Sequence, residues 1–512
     1  MPDYMYLLES RLLPEQRAVM LRVQELAQGV GLNVYLSGGA VRDLISGMPI
    51  RDLDFTVEGN PTRMARELEK GGARIVTEDE KQRHVEFVFA GDVDGSLEAA
   101  RDEHYASPGS KPESRWATIA DDLHRRDFSV NAVAISLNPA SRGLVLDPMN
   151  GLADLERREV RALSMHWFTN QPTRMLRAIL YCARLGFKLE QRTEEWLDLA
   201  IARKMHEQME PRQVGSVVRQ FGRESNPVAI LKAWDALDFL GALYPRLAKR
   251  KPNLENFARL IRAREAMWAS GIRPRLSAPA IHYLLKRLPE REQSAAMRQW
   301  GFSAAEVAAI ESLPDEADKI QRLLKTKKME APEQAYALLA QTPAHVTAFI
   351  ASEYTSSRAS TQIRNYLAKW RPLRMSPPEA ELAAMGMPRG PRFDDVIERF
   401  FVAQLRGKGR DPEERTKLLR KISGIKEPPP KKAEKGNAEK VHGKGKPEDK
   451  SARGGGREVG KTSRTWGKPK PPATPVPQPN VKVRQPAAKK EKKGQTARES
   501  AKNRASGKKR RR

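Results

Sequence analysis

The sequence predicts an α+β head built on a mixed sheet, an all-helical region behind it, and a disordered, basic C-terminal extension. Three observations carry this reading. Up to about residue 160, short apolar runs of strand length alternate with helix-length patterns and Gly or Pro breaks. From about Arg161 to residue 424, apolar residues recur at helical spacing in segments split by Pro and Gly. Past Ile425, aliphatic residues almost vanish. At 512 residues the chain is long enough for two or more packed domains.

In chain order, a helical pattern over Pro14–Gln28 leads to a strand at Leu32–Leu36, which Gly38-Gly39 breaks before a helical turn at Ala40–Ile45. Strands are expected at Leu53–Val57, Arg74–Val76 and Val85–Phe89, with further strand material in Val130–Leu137 and Leu144–Leu146. In the helical region, Leu176, Ile179, Leu180, Ala183 and Phe187 form one apolar face, and Ile230, Trp234 and Leu237 repeat the pattern. No convincing strand is expected there. The division that follows is 1–160, 161–245, 246–425 and 426–512.

Charge is unevenly placed. The net charge is +28, and residues 426–512 hold 28 Lys and Arg against 8 Asp and Glu. Such a Pro-, Gly- and Lys-rich segment buries too little apolar surface to offset its chain entropy, so it is expected to be disordered and to bind RNA phosphates. The single cysteine, Cys182, excludes an intramolecular disulfide framework and a CxxC zinc site. No stretch approaches the roughly 20 apolar residues of a membrane helix, and the first residues lack a signal-peptide run. A cytoplasmic protein with no membrane partner is expected.

The run GGAVRDLISGMPIRDLDF, Gly38 to Phe55, carries the chemistry. Residues two apart on a strand share a face, so Asp52 and Asp54 project together while Leu53 turns to the core. Two carboxylates on one face make a hard-oxygen site suited to Mg²⁺, with substrate phosphates completing the shell. Such ions activate a hydroxyl and steady a leaving pyrophosphate. Gly38-Gly39 lets a triphosphate approach closely, with Arg42 adding charge on that side.

The segment resembles the head-domain signature of class II tRNA nucleotidyltransferases and bacterial poly(A) polymerases. Further blocks follow in the family's order: ARDEHYASPGSKP from Ala100, DDLHRRDFSVNAVA from Asp121, LDPMNGLADLERREVRAL from Leu146, and QPTRMLRAILYCARLGF from Gln171. The resemblance covers about residues 25–245. It implies a nucleotidyltransferase head, then helical neck and body regions, and template-independent addition of C and/or A from CTP and ATP to an RNA 3′ end, above all that of tRNA, with release of pyrophosphate. It makes Asp52 and Asp54 the catalytic metal-holding pair. It places Gly38, Gly39, Arg42, Arg126, Asp127 and Asn131 around the nucleotide, with Arg126 and Asp127 on triphosphate and ribose. A carboxylate suits a 2′-hydroxyl contact because it accepts that proton well. Glu86 is a candidate third carboxylate.

The family reads the base with a Glu-Asp-x-x-Arg motif; here the aligned run is Asn170-Gln171-Pro172-Thr173-Arg174. A Gln carbonyl can still accept from an exocyclic amine, without charge assistance. Gln171, Arg174 and Arg177 are the expected base-side residues. Arg174, Arg177, Tyr181 and Arg184 form a stripe opposite the apolar face, as a substrate-facing surface would. The GRRFRL-type block of the poly(A) polymerases is missing from EKQRHVEFVF, Glu80 to Phe89, and no His-Asp dipeptide signals a phosphohydrolase domain. The tRNA branch is therefore favoured. The alternatives are a poly(A) polymerase, a CC-only or A-only enzyme, and a non-catalytic RNA-binding protein.

Overall fold

The computed structural model describes residues 3–80, 83–89, 93–104, 112–355 and 357–425. The 426–512 extension and residues 105–111 of the ARDEHYASPGSKP block lie outside the described residues.

The head opens with α1 (Tyr4–Arg11) and α2 (Pro14–Gly29). Pro14 starts α2 with a preset φ, and Gln16 closes its first turn by accepting from the Leu13 amide. Gln16 is buried and also donates to the Ile50 carbonyl, pinning the chain just ahead of Asp52 (2.9 Å).

The sheet is built from β1 (Asn33–Ser37), β2 (Leu53–Glu58), β3 (Arg74–Asp79), β4 (His84–Phe89), β5 (Val93–Ala99), β8 (Ala134–Ser136) and β9 (Val145–Leu146). The order is β3-β4-β5-β2-β1-β8-β9; only β2 and β5 pair in parallel, so the sheet is mixed as expected. A separate hairpin joins β6 (Arg101–His104) to β7 (Glu113–Trp116). Strand alternation divides the two faces. Val34, Leu36, Leu53, Phe55, Val57, Val85, Phe87 and Leu97 face α2 and α4 (Thr62–Lys70) in one core. Tyr35, Ser37, Asp54, Thr56, Glu86, Ser96 and Glu98 occupy the alternate positions, on the opposite face. β5 is absent from the sequence reading, because VDGSLEA is too polar to stand out as an apolar run.

Two short helices follow, α5 (Ile119–His124) and α6 (Gly151–Arg157), the latter leading to β10 (Glu159–Val160). The neck is α7 (Trp167–Asn170), α8 (Thr173–Leu185), α9 (Gln191–Ala202) and α10 (Pro211–Gly222). The absence of strands beyond residue 161 needs one correction. Lys188–Leu189 forms a two-residue strand, β11, parallel to β10, because the chain leaving α8 returns past the head's last segment. Leu176, Ile179 and Leu180 are buried as the periodicity demands, in a core that runs from Phe128 through Trp234, Phe257 and Tyr283 to Trp300 and beyond. Leu382, Phe393, Val396, Phe400 and Leu419 form a separate small core near the end of the described chain. No helix among the described residues is long and apolar enough to cross a membrane.

Candidate active site

The first strand ends at Gly38, whose φ of 61° suits glycine, and α3 (Gly39–Ile45) follows. A Cβ on Gly38 would sit 2.7 Å from Arg126 Nη1, and one on Gly39 would sit 3.1 Å from Asp54 Oδ2. The two glycines therefore mark where the acidic and basic halves of the site meet.

Asp52 stands immediately before β2 and is partly exposed, with Arg223 Nη1 at 3.8 Å from its Oδ2. Asp54 accepts from the Ser96 hydroxyl on the parallel neighbour β5 (3.0 Å). Burial, then the charge of Asp52, pushes the Asp54 carboxyl up to about 7, against the lowering effect of that hydrogen bond. A carboxyl held this high is one whose charge the surrounding protein leaves uncompensated. The donor set fits a hard divalent cation, although no group of three or more His, Cys, Asp or Glu able to hold a metal occurs among the described residues. Glu86 does not join the pair: it lies one strand beyond Ser96 in register, within salt-bridge distance of His84 (3.5 Å). His84 also meets Glu98 at 3.3 Å.

The basic half is organised by a residue that sequence reasoning missed. Asp122 is fully buried and accepts from Arg125 Nε (3.0 Å) and from Arg126 Nε and Nη2 (3.1 and 2.9 Å). Arg126 also donates to Ser37, Thr56 and the Asn131 carbonyl, so it is rigidly aimed beside Gly38.

Asp127 has a more demanding position. Its Oδ1 accepts from the Phe128 amide and Asn131 Nδ2 (both 2.9 Å), and its Oδ2 accepts from Arg177 Nε at 2.8 Å with Nη2 at 2.7 Å. Three hydrogen bonds and the ion-pair contact from Nη2 engage both oxygens of this carboxylate. Asp127 is first a clasp between head and neck. Asn131 links this clasp to Arg42, whose Nη1 donates to Asn131 Oδ1 (2.6 Å).

Arg42 is 2% exposed, donates twice to Asp43 and lies against the Tyr181 ring, while its Nη2 comes within 3.5 Å of where a Cβ on Gly39 would stand. The polar stripe on α8 is covered over most of its length. Arg174 and Tyr181 are buried, and Arg184 is ion-paired with Asp43 and with Glu224 (3.6 Å). The head covers the stripe; only Arg177 keeps substantial exposure, with 30% of its side chain accessible. Between head and neck, Arg42, Arg51 and Arg184 face two acids, Asp43 and Glu224.

At the base-side motif, Arg174 Nε donates to Gln171 Oε1 (2.8 Å) and the guanidinium lies over Trp167, 4.1 Å from the ring centroid. Trp167 in turn donates from Nε1 to the Arg126 carbonyl (3.1 Å). Gln171 and Arg174 are thus brought together, and through Trp167 they are tied to the RRDF segment. α6 closes the back of the site: Asp147 caps it, and a Cβ at Gly151 would overlap the Ser129 carbonyl oxygen.

Residues 34–161 match the Poly A polymerase head domain. The A-adding tRNA nucleotidyltransferase of Halalkalibacterium halodurans is 25% identical over 433 residues, which is 82% of this chain and 96% of that protein. The A-adding enzyme of Aquifex aeolicus is 38% identical over 172 residues and the CC-adding enzyme of Deinococcus radiodurans 34% over 176, where the chain spans only 20% and 47% of those proteins. Among solved structures, an apo form of a CCA-adding enzyme aligns with 83% of this chain and 99% of its own, at 24% identity and a TM-score of 0.45. Head and site together define a nucleotidyltransferase. The head is thus similar to the Poly A polymerase head domain and the longer matches are to tRNA nucleotidyltransferases, so the bacterial poly(A) polymerase alternative is not favoured.

Proposed function

We propose that this chain adds nucleotides to the 3′ end of tRNA without a nucleic-acid template, with adenosine from ATP the favoured addition and pyrophosphate the leaving group. The observation that supports transfer chemistry most directly is the Asp52–Asp54 pair, its inner carboxyl raised to about 7, set against Gly38-Gly39 and Arg126. Adenosine is favoured because a relative matched over 96% of its length is an A-adding enzyme.

In this reading Asp52 and Asp54 hold Mg²⁺. The bound cation supplies Lewis acidity to the attacking 3′-hydroxyl and to the triphosphate. Arg126, fixed by Asp122, Ser37 and Thr56, meets triphosphate charge where the two glycines leave room. Gln171 faces the base edge, and the buried Arg174, its guanidinium held over Trp167, orients the Gln171 carbonyl. Arg177, Asp127 and Asn131 orient the ribose side and keep the neck docked on the head. We retain the head, neck and body division at residues 160 and 245, and a cytoplasmic setting.

The deciding experiment incubates purified protein with tRNA ending before CCA, after C and after CC, with each nucleotide separately. Incorporation of ATP onto the CC-ending tRNA alone is expected. CTP incorporation on the shorter tRNAs would replace the A-adding reading with a CC- or CCA-adding one. Transfer surviving in both Asp52→Ala and Asp54→Ala would overturn the placement of the site.

A further inference from the structure

One face of α10 carries Arg212 and Arg219, and Arg223 follows just past its end. Positions seven and eleven residues apart fall on one side of a helix, so the three arginines line up over about 16 Å of rise. Arg223 stands at the catalytic end, 3.8 Å from Asp52 Oδ2. At the other end, Arg212 and Arg219 join Arg298 around an open cavity of about 530 Å³ whose remaining wall is Trp300, Gly301 and Phe302.

The cavity is a product of close packing. Gly215 on α10 lies against the Trp300 carbonyl, where a Cβ would overlap the oxygen, and this lets the 300–302 turn close on the helix. Trp300 is locked by donating from Nε1 to the Leu243 carbonyl (2.9 Å). Arg219 lies over the Phe302 ring, 4.2 Å from its centroid, and donates to the Gly301 carbonyl (2.9 Å) and to Glu306 (2.6 Å). Glu306 therefore compensates Arg219. Arg212 and Arg298 are exposed and, among the described residues, have no acidic partner. Two uncompensated positive charges remain in a polar concavity. Trp300 and Phe302 are both buried, so neither offers a face on which a base would stack.

We infer that this row of arginines is a phosphate track for the RNA primer, carrying the strand from the Arg212–Arg298 cavity along α10 to its 3′ end at Asp52. The inference rests on the transfer reading above. The track reads phosphate charge and not base identity, because it offers guanidinium groups without a stacking platform. It belongs to the primer and not to the incoming nucleotide, whose proposed ligands lie on the head and on α8.

The test compares the full-length wild type with the double variant Arg212→Gln, Arg298→Gln. A control variant, Lys319→Gln, Arg322→Gln, removes two charges elsewhere on the body. Fluorescence anisotropy with labelled tRNA ending in CC gives affinity across a salt series without turnover. The track variant is expected to bind roughly ten-fold more weakly at 0.1 M salt, with a log–log salt slope shallower by about 1 to 2. Its KM for ATP at saturating tRNA should equal that of the wild type. The control should match the wild type in affinity and slope. Unchanged affinity and slope in the track variant, an equal loss in the control, or a rise in KM for ATP alone would each overturn the inference. Because binding is read apart from transfer, a weakened track variant in a protein that transfers nothing would uphold the track while refuting the transfer reading.

Discussion

Asp127→Asn removes a charge that the fold keeps ionised. Burial alone would push this carboxyl up, but the guanidinium groups of Arg177 and Arg174 and the hydrogen bonds from Asn131 and Arg177 bring it from 3.8 to about 2. Near 1.36 kcal/mol per pKa unit, that gap is worth roughly 2–3 kcal/mol of folding free energy. The folded pKa is depressed, so the contribution is complete above the unfolded value near 4 and is lost as pH falls through about 2. At pH 3 about half of it remains. Urea unfolding of wild type and variant, followed by circular dichroism at pH 7.5 and pH 3, reads the two gaps directly. The variant should be less stable by roughly 2–3 kcal/mol at pH 7.5, with the gap shrinking by about 1 kcal/mol at pH 3. Arg177→Met should flatten this pH dependence, because Arg177 is the largest opposing charge. A gap of the same size at both pH values would show that packing, and not the Asp127–Arg177 clasp, sets the cost.

Asp54→Asn should abolish transfer yet stabilise the metal-free protein. The raised folded pKa of Asp54 means that its stability contribution is full below about pH 4 and is lost as pH rises through 7. Discounted for its partial exposure, the gain is about 2 kcal/mol at pH 8 and near zero at pH 4. Thermal melts in chelator check this, and added Mg²⁺ should narrow the gap. In the head–neck cluster three arginines face two acids. Asp43→Asn, which worsens the imbalance, is expected to cost about 3–5 kcal/mol, and Arg184→Met, which restores balance, less than about 1.5 kcal/mol; equal losses in denaturant unfolding would refute that accounting. Deleting residues 426–512 should weaken RNA binding most at low salt and flatten its salt dependence, and equal slopes with and without the tail would refute a tethering role.

The α+β head, the helical region and the paired carboxylates were legible in the sequence, because local periodicity fixes which side of a strand or helix is apolar. The same rule puts Asp52 and Asp54 on the face that Leu53 leaves. Periodicity says nothing about what covers a polar face. The stripe from Arg174 to Arg184 reads as a solvent- or substrate-facing surface, yet the head packs over it, and partners 50 and 141 residues away claim Arg177 and Arg184. Ser96 and Asp122 leave no mark in sequence pattern either, since each matters only through a neighbour brought in by sheet register or helix docking. The sequence by itself determined the mixed head and the helical region behind it, the apolar faces of most elements and the acidic pair. Tertiary structure alone decided which charges are left free to meet substrate, because a buried charge must find its partner wherever the fold places one.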